Sequence, residues 1–117
     1  MTPDDRSATY FKFLNLLNAV RDLSSFPSLD ALEERLLNTL AAAWHTNRRI
    51  TVVEAMGILP DTSTATVYRR LKTLRKKGLL AIQLDETDHR VKYVLPTEAA
   101  TEYFSLLADC LVKARRR

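Results

Sequence analysis

The sequence has one cysteine, Cys110, and few residues that interrupt regular structure. A single cysteine excludes an internal disulfide and suits a reducing compartment. Two glycines and four prolines leave little room for long loops, and a length of 117 residues predicts one domain. No run approaches the ~18 consecutive apolar residues of a membrane span, and the N-terminus lacks a secretory signal. We therefore expect a cytoplasmic protein that does not enter a membrane.

The groupings that support catalysis or bind metals and cofactors are missing from the sequence. His45 and His89 are far apart, no His/Cys cluster has metal-ligand spacing, and there is no glycine-rich phosphate loop. Asp85, Glu86 and Asp88 form an acidic group, which a solvent-exposed hairpin tip would explain. We predict no enzymatic activity, no metal and no cofactor.

Acidic residues are also missing from one stretch of the chain, where basic residues are concentrated. No Asp or Glu occurs between Asp61 and Asp85, whereas six of the 18 Lys and Arg fall within residues 69–77. The net charge is +4 and the pI is near 9.5. This distribution suits a polyanionic partner, although basic proteins without one are common.

Residues 62–78 have the pattern of an amphipathic helix. Hydroxyl residues at the start suit an N-cap, and Gly78 is typical of the position after a helix end. Val67, Leu71 and Leu74 recur at helical spacing and predict a packed stripe. At about 100° per residue, the opposite face carries Thr66, Arg69, Arg70, Thr73, Lys76 and Lys77. By itself this pattern fits either a DNA recognition helix or a solvated basic helix.

The segments on either side complete a recognisable order. Thr51 and Glu54 form a capping-box pattern at the start of a short helix, which Gly57 and Pro60 end. After the basic helix the apolar period changes from 3.6 to 2 in two segments around a polar tip, which predicts a β-hairpin. Residues 48–50 offer an edge strand. Helix, turn, basic helix and hairpin is the layout of a winged helix-turn-helix.

Helices are predicted at both ends of the chain. The first begins at Thr2-Pro3, the second is capped by Ser28 and has a narrow leucine-rich stripe, and the last is capped by Thr97. The first and last have unusually wide apolar faces, which predict a homodimer through these two helices. We expect N-terminal helices in residues 1–47, the winged motif in 48–96 and a C-terminal helix in 97–117.

Two isolated residues allow alternative interpretations. Trp44 is either a packing anchor or a platform for a ligand. Cys110 is either a redox sensor or a packed small side chain; it lies in an apolar row, and the next basic residue after it is Lys113. We favour packing for both.

Residues 50–97 resemble the winged helix-turn-helix of MarR-type transcription regulators. The matching features are Ile50-Thr51, Thr64-Ala65-Thr66-Val67, Leu74-Arg75-Lys76-Lys77-Gly78-Leu79 and the wing segment Asp88-His89-Arg90. The resemblance implies a recognition helix in the major groove and a wing arginine, Arg90, held by Asp88 and directed into the minor groove. The sequence departs from the family at His89, at Pro96 and in its length, so the family's dimer geometry and effector pocket are not carried over.

Together these features predict a mainly α protein, a winged helix-turn-helix with flanking helices, that binds double-stranded DNA and regulates transcription. A small-molecule effector is compatible with this prediction but is not indicated. The alternative is a winged helix used for protein–protein assembly. Near the start of the helix, hydroxyls would meet phosphates or thymine methyls, and the two arginines would read guanine. The predicted DNA-binding residues are Ser63, Thr64, Thr66, Arg69, Arg70, Thr73, Lys76, Lys77, Arg90 and Arg49.

Overall fold

The computed structural model of the chain describes residues 3–23 and 25–116, with side chains from residue 6 onward. These residues form five α-helices and three β-strands. The helices are α1 (Pro3–Arg21), α2 (Ala31–His45), α3 (Val52–Met56), α4 (Thr64–Lys76) and α5 (Glu98–Arg115). The strands are β1 (Ile50–Thr51), β2 (Leu80–Leu84) and β3 (Lys92–Pro96). The predicted fold class, a mainly α winged helix-turn-helix, is confirmed.

The strands form one antiparallel sheet in the order β1-β3-β2, which confirms the predicted hairpin. The edge strand expected at residues 48–50 is Ile50–Thr51. Ile50 of β1 and Ile82 of β2 both pair with Val94 of β3. Val94 is fully buried, whereas Tyr93 and Leu95 are half-buried. Because both faces of β3 carry apolar side chains, alternation alone did not identify the inner one.

Local side-chain caps define the helix boundaries around the motif. The Thr51 hydroxyl accepts a hydrogen bond from Glu54 N, and a Glu54 carboxylate oxygen accepts one from Thr51 N, both at 3.1 Å. The hydroxyl of Thr97 accepts a hydrogen bond from Ala100 N at 3.1 Å. Both predicted caps are confirmed. Thr97 also donates to the carbonyl oxygen of Gly78 at 2.6 Å, which ties the start of α5 to the end of α4.

The start of α2 differs from the prediction. Asp30, rather than Ser28, is the N-cap, and it forms a capping box with Glu33. Asp30 accepts from the Glu33 backbone N–H at 2.7 Å, and Glu33 accepts from the Asp30 backbone N–H at 3.1 Å. The reciprocal pair satisfies two backbone donors at once, which a lone serine cannot do. The buried residues of α2 are Glu33, Leu36, Leu37 and Leu40.

Contacts divide the described chain into two compact units. One unit comprises residues 29–100 and thus contains α2 as well as the winged motif. Its core is formed by apolar residues of α2, α3, α4 and the sheet, among them Leu36, Leu40, Ala55, Leu74 and Val94.

The other unit comprises residues 1–28 and 101–117, which contribute α1 and most of α5. In it the rings of Phe26 and Tyr103 lie 5.8 Å apart, and Lys12 Nζ donates to the carbonyl oxygen of Arg116 at 2.9 Å. The predicted cap of α1, Thr2, lies outside the described residues. No helix within residues 3–23 and 25–116 has both the length and the apolar character needed to cross a membrane.

Candidate nucleic-acid interface

The basic helix is α4, and its two ends are fixed locally. Ser63 is the N-cap, and its hydroxyl accepts a hydrogen bond from Thr66 N at 3.2 Å. At the other end the chain leaves the helix through Gly78, whose φ of 82° lies in the left-handed region that favours glycine. Thus α4 begins and ends where the sequence predicted.

One side of α4 is buried and the opposite side is open. Val67, Leu71 and Leu74 belong to the core of the unit formed by residues 29–100. At about 100° per residue, Arg69 and Lys76 lie about 160–180° from Val67 around the helix axis. Both are exposed. We call this side the exposed face of α4; its exposed members are Ala65, Arg69, Lys72 and Lys76.

Arg70 and Lys77 do not share the exposed face with Arg69 and Lys76. They lie about 60–80° from Val67, on the flank that contacts α2. Arg70 Nη1 is 2.8 Å from a carboxylate oxygen of Asp30, and Lys77 Nζ is 2.8 Å from one of Glu33. Both cations were predicted to face DNA, whereas in the structure each is paired with a carboxylate of the same fold.

The hydroxyls near the start of α4 are also used within the helix. Ser63 Oγ donates to Thr66 Oγ1 at 2.8 Å, and Thr66 Oγ1 accepts from Arg69 Nη2 at 3.3 Å. Thr73 Oγ1 donates to the backbone oxygen of Arg69 at 3.0 Å. Thr64 is exposed at the first position of the helix. These hydrogen bonds, from Ser63 to Thr66 and from Arg69 to Thr66, hold the Arg69 guanidinium over the N-terminal half of α4.

The flank of α4 opposite to the one that contacts α2 borders a cleft, which was not predicted from the sequence. The cleft has a volume of about 110 Å³ and combines an apolar floor with cationic side chains. Its lining residues are Val52, Tyr68, Leu71, Lys72, Arg75, Ile82 and Lys92. Lys72 Nζ lies 4.8 Å from the centre of the Tyr68 ring. The spacing of Tyr68, Lys72 and Arg75 at i, i+4 and i+7 was a usable signal for this second cationic row.

Asp85 organises the tip of the wing. One of its carboxylate oxygens accepts hydrogen bonds from Thr87 N at 3.1 Å, Thr87 Oγ1 at 2.9 Å and Asp88 N at 2.9 Å. The other accepts from the Tyr93 hydroxyl at 3.3 Å. The bond from Asp88 N, followed by those from Thr87, lowers the pKa of Asp85 from 3.8 to about 2. The Asp85 carboxylate therefore has a structural role in the turn.

Arg90 is held by Asp88 and is otherwise open to solvent. Its Nε and Nη2 donate to the two Asp88 carboxylate oxygens at 3.0 and 3.2 Å. These side-chain bonds, together with one from Arg90 N, hold the pKa of Asp88 below its usual value. The side chain of Arg90 is 91% exposed. The contact that the family resemblance implied is present, and it holds a cation at the surface of the wing.

Arg49 lies on the sheet, where its guanidinium carbon is 3.8 Å from the centre of the Tyr93 ring. This stacking holds the cation against β3. Neighbouring Arg48 instead pairs with Glu54 at 3.1 Å.

All ten predicted residues belong to the unit formed by residues 29–100. They fall into separate groups on the exposed face of α4, on the flank of α4 that contacts α2, and on the sheet with its wing.

Trp44 and Cys110 occupy packing positions. Trp44 is half-buried, and its Nε1 donates to the Val94 carbonyl oxygen at 3.0 Å, so its polar atom is satisfied within the fold. Cys110 is 3% exposed. The packing interpretation fits both residues.

Comparison with known proteins shows similarity in structure. The sequence matches no family model and no curated protein. The heme sensor protein PefR from Streptococcus agalactiae, solved with heme, aligns with a TM-score of 0.59 and 21% identity over 92% of this chain and 67% of its own. A MarR-like transcriptional regulator from Thermotoga maritima aligns with a TM-score of 0.59 and 20% identity over 97% and 80%. The adhesin competence repressor AdcR from Streptococcus pyogenes aligns with a TM-score of 0.53 and 26% identity over 89% and 73%.

At such identities the similarity establishes the fold. The chain has the winged-helix fold of MarR-type regulators, which the motifs of residues 50–97 had indicated.

Proposed function

We propose that this protein is a transcription regulator that binds double-stranded DNA with α4 in the major groove. The observation that carries the proposal is the exposed face of α4, where Arg69, Lys72 and Lys76 stand opposite a fully packed stripe. Residues 62–84 contain no acidic side chain that would neutralise them. An α-helix of this kind fits the width of the major groove, and clustered cations supply the phosphate attraction that DNA binding requires.

Arg69 is the proposed base-reading residue. It is exposed on the face opposite the core, and its guanidinium fork matches the O6 and N7 acceptors of guanine. Thr64, exposed at the first helical position, is suited to a phosphate or a thymine methyl. Ser63 and Thr66 support Arg69 through their hydrogen bonds, and Lys76 is suited to a phosphate.

Cations outside the exposed face extend the proposed surface. Lys72, Arg75 and Lys92 line the cleft between α4 and the sheet, which suits a phosphate strand that passes from the recognition helix to the wing. Arg49, stacked on the sheet, adds a further phosphate contact. Arg90 reaches the neighbouring minor groove, whose narrow A·T tracts attract an arginine side chain.

The protein is proposed to act as a homodimer through α1 and α5. Winged-helix dimers of this kind bind two half-sites separated by about one helical turn, 34–36 Å. The expected target is therefore a palindromic duplex, and one protomer alone would bind it weakly.

The decisive experiment is selection of bound fragments from a random duplex library, followed by titration of the selected and a scrambled duplex across a salt series. We expect enrichment of a palindrome and a log–log salt dependence that reports several phosphate contacts. The Arg69→Ala/Lys76→Ala variant should lose binding. The matched control Arg35→Ala/Arg48→Ala, which removes the same charge from side chains that pair with Asp61 and Glu54, should retain it.

Two results would contradict the proposal. One is equal loss of affinity in the two double variants, which would mean that net charge alone controls binding. The other is no binding of any duplex at low salt, which would favour the alternative function of protein–protein assembly.

A further inference from the structure

Glu33, at the start of α2, is a buried carboxylate in an otherwise apolar core. Its side chain is 3% exposed, and its two oxygens accept hydrogen bonds from Lys77 Nζ at 3.0 and 2.8 Å. One of those oxygens also accepts from the backbone of Asp30 in the capping box. A buried charge is tolerated only where such partners satisfy it, so the position of Lys77 is dictated by Glu33.

The same capping box contacts α4 at a second point. Asp30, its N-cap residue, pairs with Arg70 at 2.8 Å. The backbone hydrogen bond from Glu33 is the main cause of the lowered pKa of Asp30, with contributions from Arg70 and Lys77. Arg70 and Lys77 are seven residues apart, which corresponds to two helical turns or about 10.5 Å along α4.

Two fixed points along one flank determine the rotation of a helix about its axis. Rotation of α4 by about 20° would move an atom at a side-chain radius of about 5–6 Å by about 2 Å. A shift of that size breaks a hydrogen bond to a base edge. The buried apolar stripe holds α4 against the core, and the flank contacts add a second constraint at a larger radius. The two ion pairs are directional.

We propose that Asp30, Glu33, Arg70 and Lys77 form a clamp that sets the rotation of α4, and that Glu33 and Lys77 are positioning residues for base reading. The proposal rests on the DNA-binding function proposed above. It assigns a role in sequence preference to Glu33, a side chain that touches no DNA. It also changes the role of Lys77, which the sequence suggested as a phosphate contact.

The test compares Glu33→Gln, Lys77→Met and the double variant on the selected and the scrambled duplex across a salt series. Glutamine keeps the capping-box acceptor, and methionine keeps most of the aliphatic stem. Each single variant should reduce the ratio of specific to scrambled affinity about tenfold, as for one weakened base contact, with the salt slope unchanged. The double variant should reduce this ratio no further than either single variant does, because each single substitution already breaks the Glu33–Lys77 pair.

Two neighbouring substitutions are matched controls. Glu34→Gln makes the same change of charge on α2 and should alter neither the ratio nor the slope. Lys76→Met should lower the salt slope by about one and leave the ratio unchanged, as expected of a phosphate contact. If Lys77→Met behaves like Lys76→Met while Glu33→Gln strengthens binding to both duplexes, Lys77 is a phosphate contact and the clamp is refuted.

Amide hydrogen exchange provides a readout that does not depend on DNA. In the free protein, Glu33→Gln should speed exchange in the C-terminal half of α4 and leave α1 unchanged. Failure of the parent chain to bind either duplex would overturn the proposed function, whereas unchanged exchange in α4 would overturn the clamp. Asp30→Ser, which keeps an N-cap hydroxyl but removes the partner of Arg70, provides the same test if Glu33→Gln does not fold.

Discussion

Arg69 and Arg70 are adjacent in sequence but lie in different environments on α4. Arg69 is exposed and supported by the Thr66 hydroxyl, while Arg70 is paired with Asp30. We expect Arg69→Ala to cost about 1–3 kcal/mol at the preferred duplex and to relax preference at one base pair. Arg70→Ala removes one clamp contact and no base contact, so it should lower preference moderately across the site rather than at one base pair. Titration of a set of single-base-pair variants of the selected duplex measures both effects.

The two variants have the same composition and change of charge, so each is the control for the other. Preference lost at a single base pair in Arg70→Ala, with none lost in Arg69→Ala, would exchange their roles. Parallel loss on every duplex in both variants would mean that α4 only attracts phosphates.

Arg90 contributes through the wing, and Asp88 determines its direction. Because both Asp88 oxygens are bound by the guanidinium, the side chain is held in one orientation although it is 91% exposed. Arg90→Ala should weaken binding most at sites with A·T-rich flanks, where the minor groove is narrow. Asp88→Ala should weaken the same flank preference less, since the arginine remains but is no longer oriented. Affinities for one palindrome with A·T-rich and G·C-rich flanks provide the measurement, and equal losses on both would refute the minor-groove role.

At the scale of an element, the wing hairpin depends on the ionised Asp85 carboxylate. Its pKa is lowered from 3.8 to about 2 by hydrogen bonds that the unfolded chain lacks. The stabilisation is therefore present above the unfolded pKa and is lost as the pH falls from about 4 to about 2. In Asp85→Asn this part of the pH dependence should be absent, and unfolding at pH 7 should require less urea because an amide cannot accept the same set of bonds.

Fluorescence of Trp44, the single tryptophan, reports unfolding of the unit that contains the wing. Glu86→Gln, an exposed neighbour in the same tip, is the control and should keep the parental dependence. An unchanged acid dependence in Asp85→Asn would show that the turn does not rely on this charge.

The elements that the sequence predicted correctly are those whose signals are local. The capping residues Thr51, Ser63 and Thr97 act on backbone groups within three residues, and Gly78 acts on its own backbone, so their roles were readable from the chain. The exception is α2, whose cap was predicted at Ser28 although Glu33 follows Asp30 at capping-box spacing.

The side-chain placements that the sequence missed depend on partners distant in the chain. Lys77 pairs with Glu33, which is 44 residues away in the sequence, and Arg70 pairs with Asp30. Helical spacing gave their angle on α4 only approximately and could not show that α2 lies beside that flank. Likewise, Lys92 lines the cationic cleft because the sheet packs against α4, a contact that the local sequence pattern does not show.

For the whole molecule, the two compact units have different surfaces. Residues 29–100 enclose a core and carry the cations proposed to bind DNA. In the other unit, no described side chain of α1 is buried, and Tyr10 and Phe11 are 57% and 60% exposed. On α5, Leu111 and Val112 are 56% and 49% exposed. Large apolar side chains grouped in this way are typical of a surface that another chain covers.

We therefore expect a homodimer in which α1 and α5 of two copies bury these side chains against each other. A two-fold interface uses the same patch on both copies, so a charge placed in it is introduced twice. Light scattering at micromolar concentration should give twice the chain mass of 13.4 kDa for the parent, and a mass near 13.4 kDa for Phe11→Glu and for Leu111→Glu. Val53→Glu, which charges a valine on α3 that is 78% exposed, should remain dimeric. A parent protein that is monomeric and still binds its palindrome tightly would show that these faces serve another purpose.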